Sequence, residues 1–319
     1  MSDLIVKIKG RLKRRVKIST AIKIIVAVAV MAYLLNLVEV NKMATALKQA
    51  NPYPILIAIA LAPLNIVWLF FRWRYLIKYL DADRIVSNRQ VLGSVLSGTT
   101  LRLTTPGGVG EFGRVFYIKG LVRTKLLALS IMDNLSAYIV SATVGSISLA
   151  YIAGRDFFLL IPIVLIALGI TFRYLRHRIR FPSTRIIPES FRSSEFWEVV
   201  RDFPLSKFLV VLSMSGMMYA GFAIQFFLIV NAFESISIIN GFAAISSIMF
   251  VKSSLPISIG DLGIRESASI FFFGKFGITK EAALDSSLLL FTFNLLIPAI
   301  IGSAFLTGLK LRSTEADKG

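Results

Sequence analysis

Runs of apolar residues about as long as a bilayer is thick constrain this chain more than any other feature. They cover 21–38, 53–77, 125–152, 157–172, 208–232 and 282–309. A helix needs roughly 18 mostly apolar residues to cross the hydrocarbon core, and most of these runs reach that length. A large soluble helical protein with a generous core is the alternative. It conflicts with the charged fraction, 17% against the roughly 25% of ordinary soluble domains. An all-α integral membrane protein is the reading that fits.

The charge agrees. The formal net charge is +18, which in a soluble protein points to nucleic acid. Here the basic residues flank apolar runs, so the excess of Lys and Arg on cytoplasmic loops explains it, and no nucleic-acid partner is expected. The basic start "IVKIKGRLKRRVKIST" precedes the 21–38 run. A cleaved signal peptide is the alternative, but its apolar part is usually about 7–15 residues long. The run therefore reads as an uncleaved first span with its basic arm on the anionic cytoplasmic leaflet. There is no cysteine, and the one histidine, His177, sits in the basic stretch "RYLRHRIR" with no second metal ligand near it. No metal or cofactor is expected. In the same loop "SEFWEVVRDF" has the pattern of a short interfacial amphipathic helix.

Two further apolar stretches, 91–120 and 237–277, are interrupted at their middles by proline and glycines. Arms of about 15–20 residues would be about 22–30 Å long as helix, short for a 30 Å core. Both read as re-entrant hairpins, a half-helix in, a broken tip and a half-helix out; two packed full spans per stretch are the alternative. With the N-terminus inside and each hairpin returning to the side it left, cytoplasmic segments hold 27 of the 36 Lys and Arg, outer segments 5 and the hairpins 4. That bias places both termini in the cytoplasm. The expected organisation is a basic arm (1–20), a polytopic membrane domain (21–310) and a cytoplasmic tail (311–319).

The two tips repeat each other. The first runs Pro106, Gly107, Gly108, Gly110, Glu111, Gly113, Arg114; the second runs Pro256, Ser258, Gly260, Asp261, Gly263, Arg265, Glu266. Both give proline, three residues, glycine, an acid, one residue, glycine and then arginine, directly in the first and one residue later in the second. With their flanking spans they form repeats at about 53–152 and 208–309 that enter the membrane from opposite sides. Inverted repeats with broken helices meeting near the midplane are the plan of many secondary transporters. Irregular backbone at that depth survives only inside protein or beside water. Half-helix N-termini there favour anions, and Arg114 and Arg265 lie where a guanidinium would grip a phosphodiester.

At these residues the chain resembles a known family. "TPGGVGEFGR" and "PISIGDLGIRE" are similar to the two signatures of the lysylphosphatidylglycerol synthase transmembrane region, also called the UPF0104 membrane family. The resemblance covers nearly the whole hydrophobic chain. It implies a lipid flippase unit, which in relatives is joined to an aminoacyl-transferase or glycosyltransferase domain. Neither domain is matched in this sequence. The implied partner is a membrane lipid: an anionic or aminoacylated phospholipid, or a polyprenyl phosphate. The implied location is the cytoplasmic membrane, with pairing of two copies as an open arrangement.

Ionisable residues within spans are functional suspects by default. The expected headgroup site comprises Arg102, Gly107, Gly108, Gly110, Glu111, Arg114, Asp133, Asn134, Ser258, Gly260, Asp261, Gly263, Arg265, Glu266 and Asp285, with Lys252 a further suspect. Local pairing of Glu111 with Arg114 and of Asp261 with Arg265, or capping by the acids, is the plainer reading. Asp133-Asn134 and Asp285-Ser286 follow their hairpins at similar distances and are candidate symmetry mates. The leading function is movement of a charged-headgroup lipid between leaflets. No GxxxxGK[ST] loop is present, so the expected motion is downhill or coupled to an ion gradient, with Glu111 or Asp261 as proton carriers. A glycosyltransferase-like enzyme on a lipid-linked substrate and a non-catalytic partner of a separate synthase are the alternatives.

Overall fold

The structure is a computed structural model that describes residues 48, 50–80, 86–105, 108–175, 193–255 and 263–306. The expected first span at 21–38 and the basic arm lie outside the described residues.

The described residues form helices and no strand. Helix α1 covers Pro52–Lys78, α2 Asn88–Leu103, a 3-10 helix Val109–Tyr117, α3 Arg123–Ala153 and α4 Leu160–Leu175. Helix α5 covers Ser194–Asp202, α6 Leu205–Phe233, α7 Ile238–Ser254, α8 Ile264–Gly274 and α9 Lys280–Ser303. Five of them, with α4 extended back to Asp156, are long and apolar enough to cross a membrane. These match the expected spans at 53–77, 125–152, 157–172, 208–232 and 282–309, the last ending earlier as helix. The short helix expected in "SEFWEVVRDF" is α5, which buries Phe196 and Val199 and pairs Glu198 with Lys125 of α3 at 3.3 Å.

The two interrupted stretches break where expected. Helix α2 has 16 residues and α7 has 17. At 1.5 Å per residue they are about 24 and 26 Å long, less than the roughly 30 Å core. The helices after the breaks are shorter than the expected arms, nine residues in the first stretch and eleven in the second. The first of them is 3-10 rather than α. Its glycines explain this: a Cβ on Gly110 would lie 2.1 Å from the Leu101 carbonyl oxygen, and one on Gly113 2.5 Å from the Leu101 side chain. The arm therefore lies directly on α2, turned there by Gly108 in the left-handed region at φ 69°.

Helices α2 and α7 are the innermost elements. Gly93 to Thr100 of α2 and Ala243 to Met249 of α7 are buried without a break. Small residues on all sides let neighbouring helices approach closely, and this is why neither helix has a polar face. Helices α1 and α6 lie antiparallel: the Asn51 N–H donates to the Ala232 carbonyl at one end (2.7 Å), and Arg72 reaches Ser215 at the other (2.9 Å). One apolar core gathers around Phe226, Phe273 and Ile245, and another around Trp73, Leu76 and Leu129. Between them, along α1 and α6, lies a polar layer.

The two halves match in register. Ser87 and Ser237, 150 residues apart, are the N-caps of α2 and α7. In α1 the buried Ala58, Arg72, Trp73, Leu76 and Ile77 correspond, 153 residues on, to the buried Val211, Gln225, Phe226, Ile229 and Val230 of α6. The long third helices cross over to the opposite half. A Cβ on Gly145 of α3 would lie 2.8 Å from the Ser246 carbonyl oxygen and 2.2 Å from Phe250 in α7. A Cβ on Gly302 of α9 would lie 2.1 Å from the Leu96 carbonyl oxygen and 2.5 Å from Thr100 in α2. Leu96 and Thr100 stand 150 residues before Ser246 and Phe250, so the same two positions receive the same glycine contact in both halves.

Candidate functional site

Three buried polar clusters surround the middle of the fold. The first centres on Asp133 of α3, which has no solvent exposure. Arg114 reaches it through Nη2 at 2.7 Å and Arg72 through Nε at 2.5 Å. The Arg114 Nε donates to Ser130 (3.0 Å), and its guanidinium lies 4.1 Å from the centre of the Trp73 ring. Trp73 Nε1 donates to Ser94, whose hydroxyl donates to the Arg114 carbonyl. Buried charges persist only when paired and hydrogen-bonded, and here one carboxylate answers two guanidiniums. The expected Glu111–Arg114 pair exists at 3.7 Å but is looser than the bond to Asp133.

The second cluster holds Arg265 at the start of α8. Its Nε donates to Ser287 (2.9 Å) and its Nη2 to Glu266 (2.5 Å), with the Phe291 ring 5.2 Å away. Glu266 is fully engaged: Oε2 accepts the Gly263 N–H (2.6 Å) and Oε1 accepts from Arg265 and Ser287. It is a helix cap and a counter-ion at once, with Gly263 supplying the positive φ of 86°. Arg114 with Ser130 and Arg265 with Ser287 are equivalent contacts, and the serines are 157 residues apart. That spacing also separates Gly145 from Gly302. It pairs Asp133 with Leu290 and Asp285 with Ala128, so Asp133 and Asp285 are not mates as the sequence suggested.

The third cluster is neutral. Asn65 of α1 donates to Gln225 (3.0 Å) and to Asn294 (2.7 Å); Asn294 donates to Gln225 (2.7 Å); Gln225 donates to the Ala58 carbonyl (2.8 Å). Asn294 lies in a π-helical turn, Thr292–Leu296, inside α9. Such turns are rare and recur at functional positions.

These clusters wall a cavity of about 350 Å³. Thr99 and Arg102 of α2 line it, and so do Met249 and Lys252 of α7, each 150 residues on. Glu111, Arg265, Arg72, Asn65, Asn134 and Asn294 are also in its wall, with two tyrosines and three serines. Among the described residues, the charged side chains in that wall are four cations and one carboxylate.

Of the expected site residues, Arg102, Glu111, Asn134 and Arg265 reach the cavity. Arg114, Asp133 and Glu266 stand one layer behind, holding Arg72, Glu111 and Arg265 in place. Gly108, Gly110 and Gly263 shape the backbone at the two tips. Asp285 is half-buried and does not line the cavity. Gly107, Ser258, Gly260 and Asp261 lie outside the described residues. Sequence reasoning passed over Arg72, Gln225 and Asn294. Arg72 sits in "FFRWRYLIKYL", where a basic residue at the end of a span normally marks the interface, and Asn65 is a lone amide in an apolar run. The signal was there: Asn65 and Arg72 are seven residues apart, on one face of α1.

The fold and the cavity define an integral membrane protein with several membrane-length helices around a cationic pocket. The model of the lysylphosphatidylglycerol synthase TM region family matches residues 20–302. The chain belongs to that family. No curated protein matches the chain at a significant level.

Proposed function

We propose that the chain moves a lipid with a phosphate-bearing anionic headgroup between the leaflets of the cell membrane. The headgroup crosses in the cavity while the acyl or prenyl tails stay in the bilayer. An anionic phospholipid and a polyprenyl phosphate share this chemistry. The observation that carries the reading is the pairing of Arg102 and Lys252 in one cavity wall, contributed from equivalent positions of two helices too short to cross the membrane. A membrane tolerates broken helices where they border a hydrated or protein-lined space. Cations at that depth mark the path of an anion.

In this reading α2 and α7, each with its returning arm, are re-entrant hairpins of an inverted repeat. The antiparallel packing of α1 on α6 and the matched contacts of Gly145 and Gly302 support it. Both termini are cytoplasmic, in keeping with the distribution of Lys and Arg. The two hairpins form the walls that rock about a fixed site, and the driving force is the lipid gradient or an ion gradient.

The test is leaflet exchange in proteoliposomes. Fluorescent phosphatidylglycerol, lysyl-phosphatidylglycerol, phosphatidylcholine and a polyprenyl phosphate are followed by dithionite quenching, with wild type and the Arg102→Gln/Lys252→Gln variant. Faster exchange of a phosphate-bearing anionic lipid by wild type than by the variant is expected. Equal rates for the two proteins with every lipid would overturn the proposal.

A further inference from the structure

The two acids beside the tip arginines are not equivalent. Glu266 has both oxygens engaged at 2.5–3.1 Å by Gly263, Arg265 and Ser287. Glu111 holds its partners at arm's length. Its Oε2 accepts one long hydrogen bond from Arg102 Nη1 at 3.3 Å, and its Oε1 lies 3.7 Å from Arg114 Nη1. Charge-assisted bonds of this type close to about 2.7–2.9 Å when both groups are free to settle. Arg114 is 1% exposed, and its Nη1 makes no hydrogen bond. A buried guanidinium N–H without a hydrogen bond is costly, and here it faces the carboxylate that lines the cavity.

The backbone around Glu111 is closely packed. Gly110 and Gly113 press the 3-10 arm onto Leu101, and a Cβ on Gly98 would sit 2.9 Å from Arg114 Cβ. The Glu111 side chain is 13% exposed and lines the cavity.

We propose that Glu111 is a resident counter-ion that competes with the ligand. Its carboxylate bridges the donors of Arg102 and Arg114 when the site is unliganded. It swings aside when a phosphate group arrives, and the phosphate oxygens take over the donors that Glu111 meets only loosely. This rests on the reading of the cavity as an anionic-headgroup site and adds what sets its affinity. A headgroup held by Arg102 and Arg114 with no competitor would bind tightly and leave slowly. A built-in carboxylate weakens the bound state and speeds release on the far side. Glu266, locked into its cap, has no such role.

The experiment measures binding by calorimetry in detergent, with dioctanoyl phosphatidic acid and with inorganic phosphate as separate probes. Wild type is compared with Glu111→Gln, Glu111→Met, Glu266→Gln and Arg102→Gln. Removing a competing charge-assisted contact should tighten binding about tenfold in Glu111→Gln. Glu111→Met, uncharged and similar in size, should also bind more tightly than wild type. Glu266→Gln should bind no more tightly, and Arg102→Gln more weakly. Tightening with both probes assigns the effect to the phosphate group; tightening with the lipid alone assigns it to a phosphate presented by a lipid. Wild-type binding that weakens in Arg102→Gln yet is unchanged or weaker in both Glu111 variants overturns the competitor role and leaves the headgroup site standing. Absence of binding by every protein overturns the site itself.

Discussion

Replacing Asp133 by alanine should unfold the first half of the protein before the second. The carboxylate is the shared partner of Arg72 and Arg114, at 2.5 and 2.7 Å, with all three groups at most 5% exposed. Removing one partner of a buried ion pair costs about 3–5 kcal/mol, because a charge is left without compensation. Here two guanidiniums lose their partner together, so Asp133→Ala belongs at the upper end, about 5 kcal/mol. Total stabilities run to about 5–15 kcal/mol, so this loss approaches the folding threshold. Thermal unfolding in detergent, followed by intrinsic fluorescence and size exclusion, should show a melting point far below wild type. Asp285→Ala, which removes a half-buried carboxylate outside the clusters, should change stability by about 0.5 kcal/mol or less. The triple variant Arg72→Met/Asp133→Leu/Arg114→Met should regain more than half of the lost stability, since apolar replacement of a whole buried ion cluster is often neutral or better. Wild-type melting by Asp133→Ala, or a triple variant worse than the single one, would refute the reasoning.

Three other outcomes follow from the same geometry. Gly302→Val, whose Cβ would meet the Leu96 carbonyl oxygen at 2.1 Å, should abolish the monodisperse peak in size exclusion, while Gly169→Val, with no atom within 4 Å, should leave it unchanged. Arg265→Ala should remove lipid exchange in proteoliposomes yet retain a folded protein, whereas Arg114→Ala should lose both, because Arg114 also anchors the buried Asp133 cluster behind the cavity wall. Asn294→Leu leaves the amides of Asn65 and Gln225 short of partners and should lower stability by about 1–3 kcal/mol in thermal unfolding.

The long spans were legible because their signal is length and composition, and a bilayer leaves few alternatives. The broken tips were legible because proline and glycine cannot continue a helix, and the match between them survived in the order of acid, glycine and arginine. The cavity wall was only partly legible. Arg102, Glu111 and Arg265 stood out as charges in apolar surroundings. Arg72 did not, because a basic residue at the end of a span normally marks the interface. Nor did Gln225 and Asn294, single amides in long apolar runs, which take their meaning from partners 69 and 160 residues away in the chain. The pairing of Asp133 with Asp285 failed for a related reason. Distance along the chain from the tip was counted without the packing that sets the register, and Ser130 and Ser287 set it instead.

The departure from symmetry is informative. Arg72 and Gln225 occupy equivalent places on α1 and α6, yet Arg72 answers a carboxylate and Gln225 answers two amides. The first half therefore encloses an ionic cluster that breaks only at a large cost. The second half meets the same layer through neutral hydrogen bonds, each worth about 1 kcal/mol and each able to trade partners. A π-helical turn sits at that point in α9, and no counterpart interrupts α3. The second half keeps an ionic pair of its own, Arg265 with Glu266, so the neutral contacts are confined to the layer that α1, α6 and α9 share.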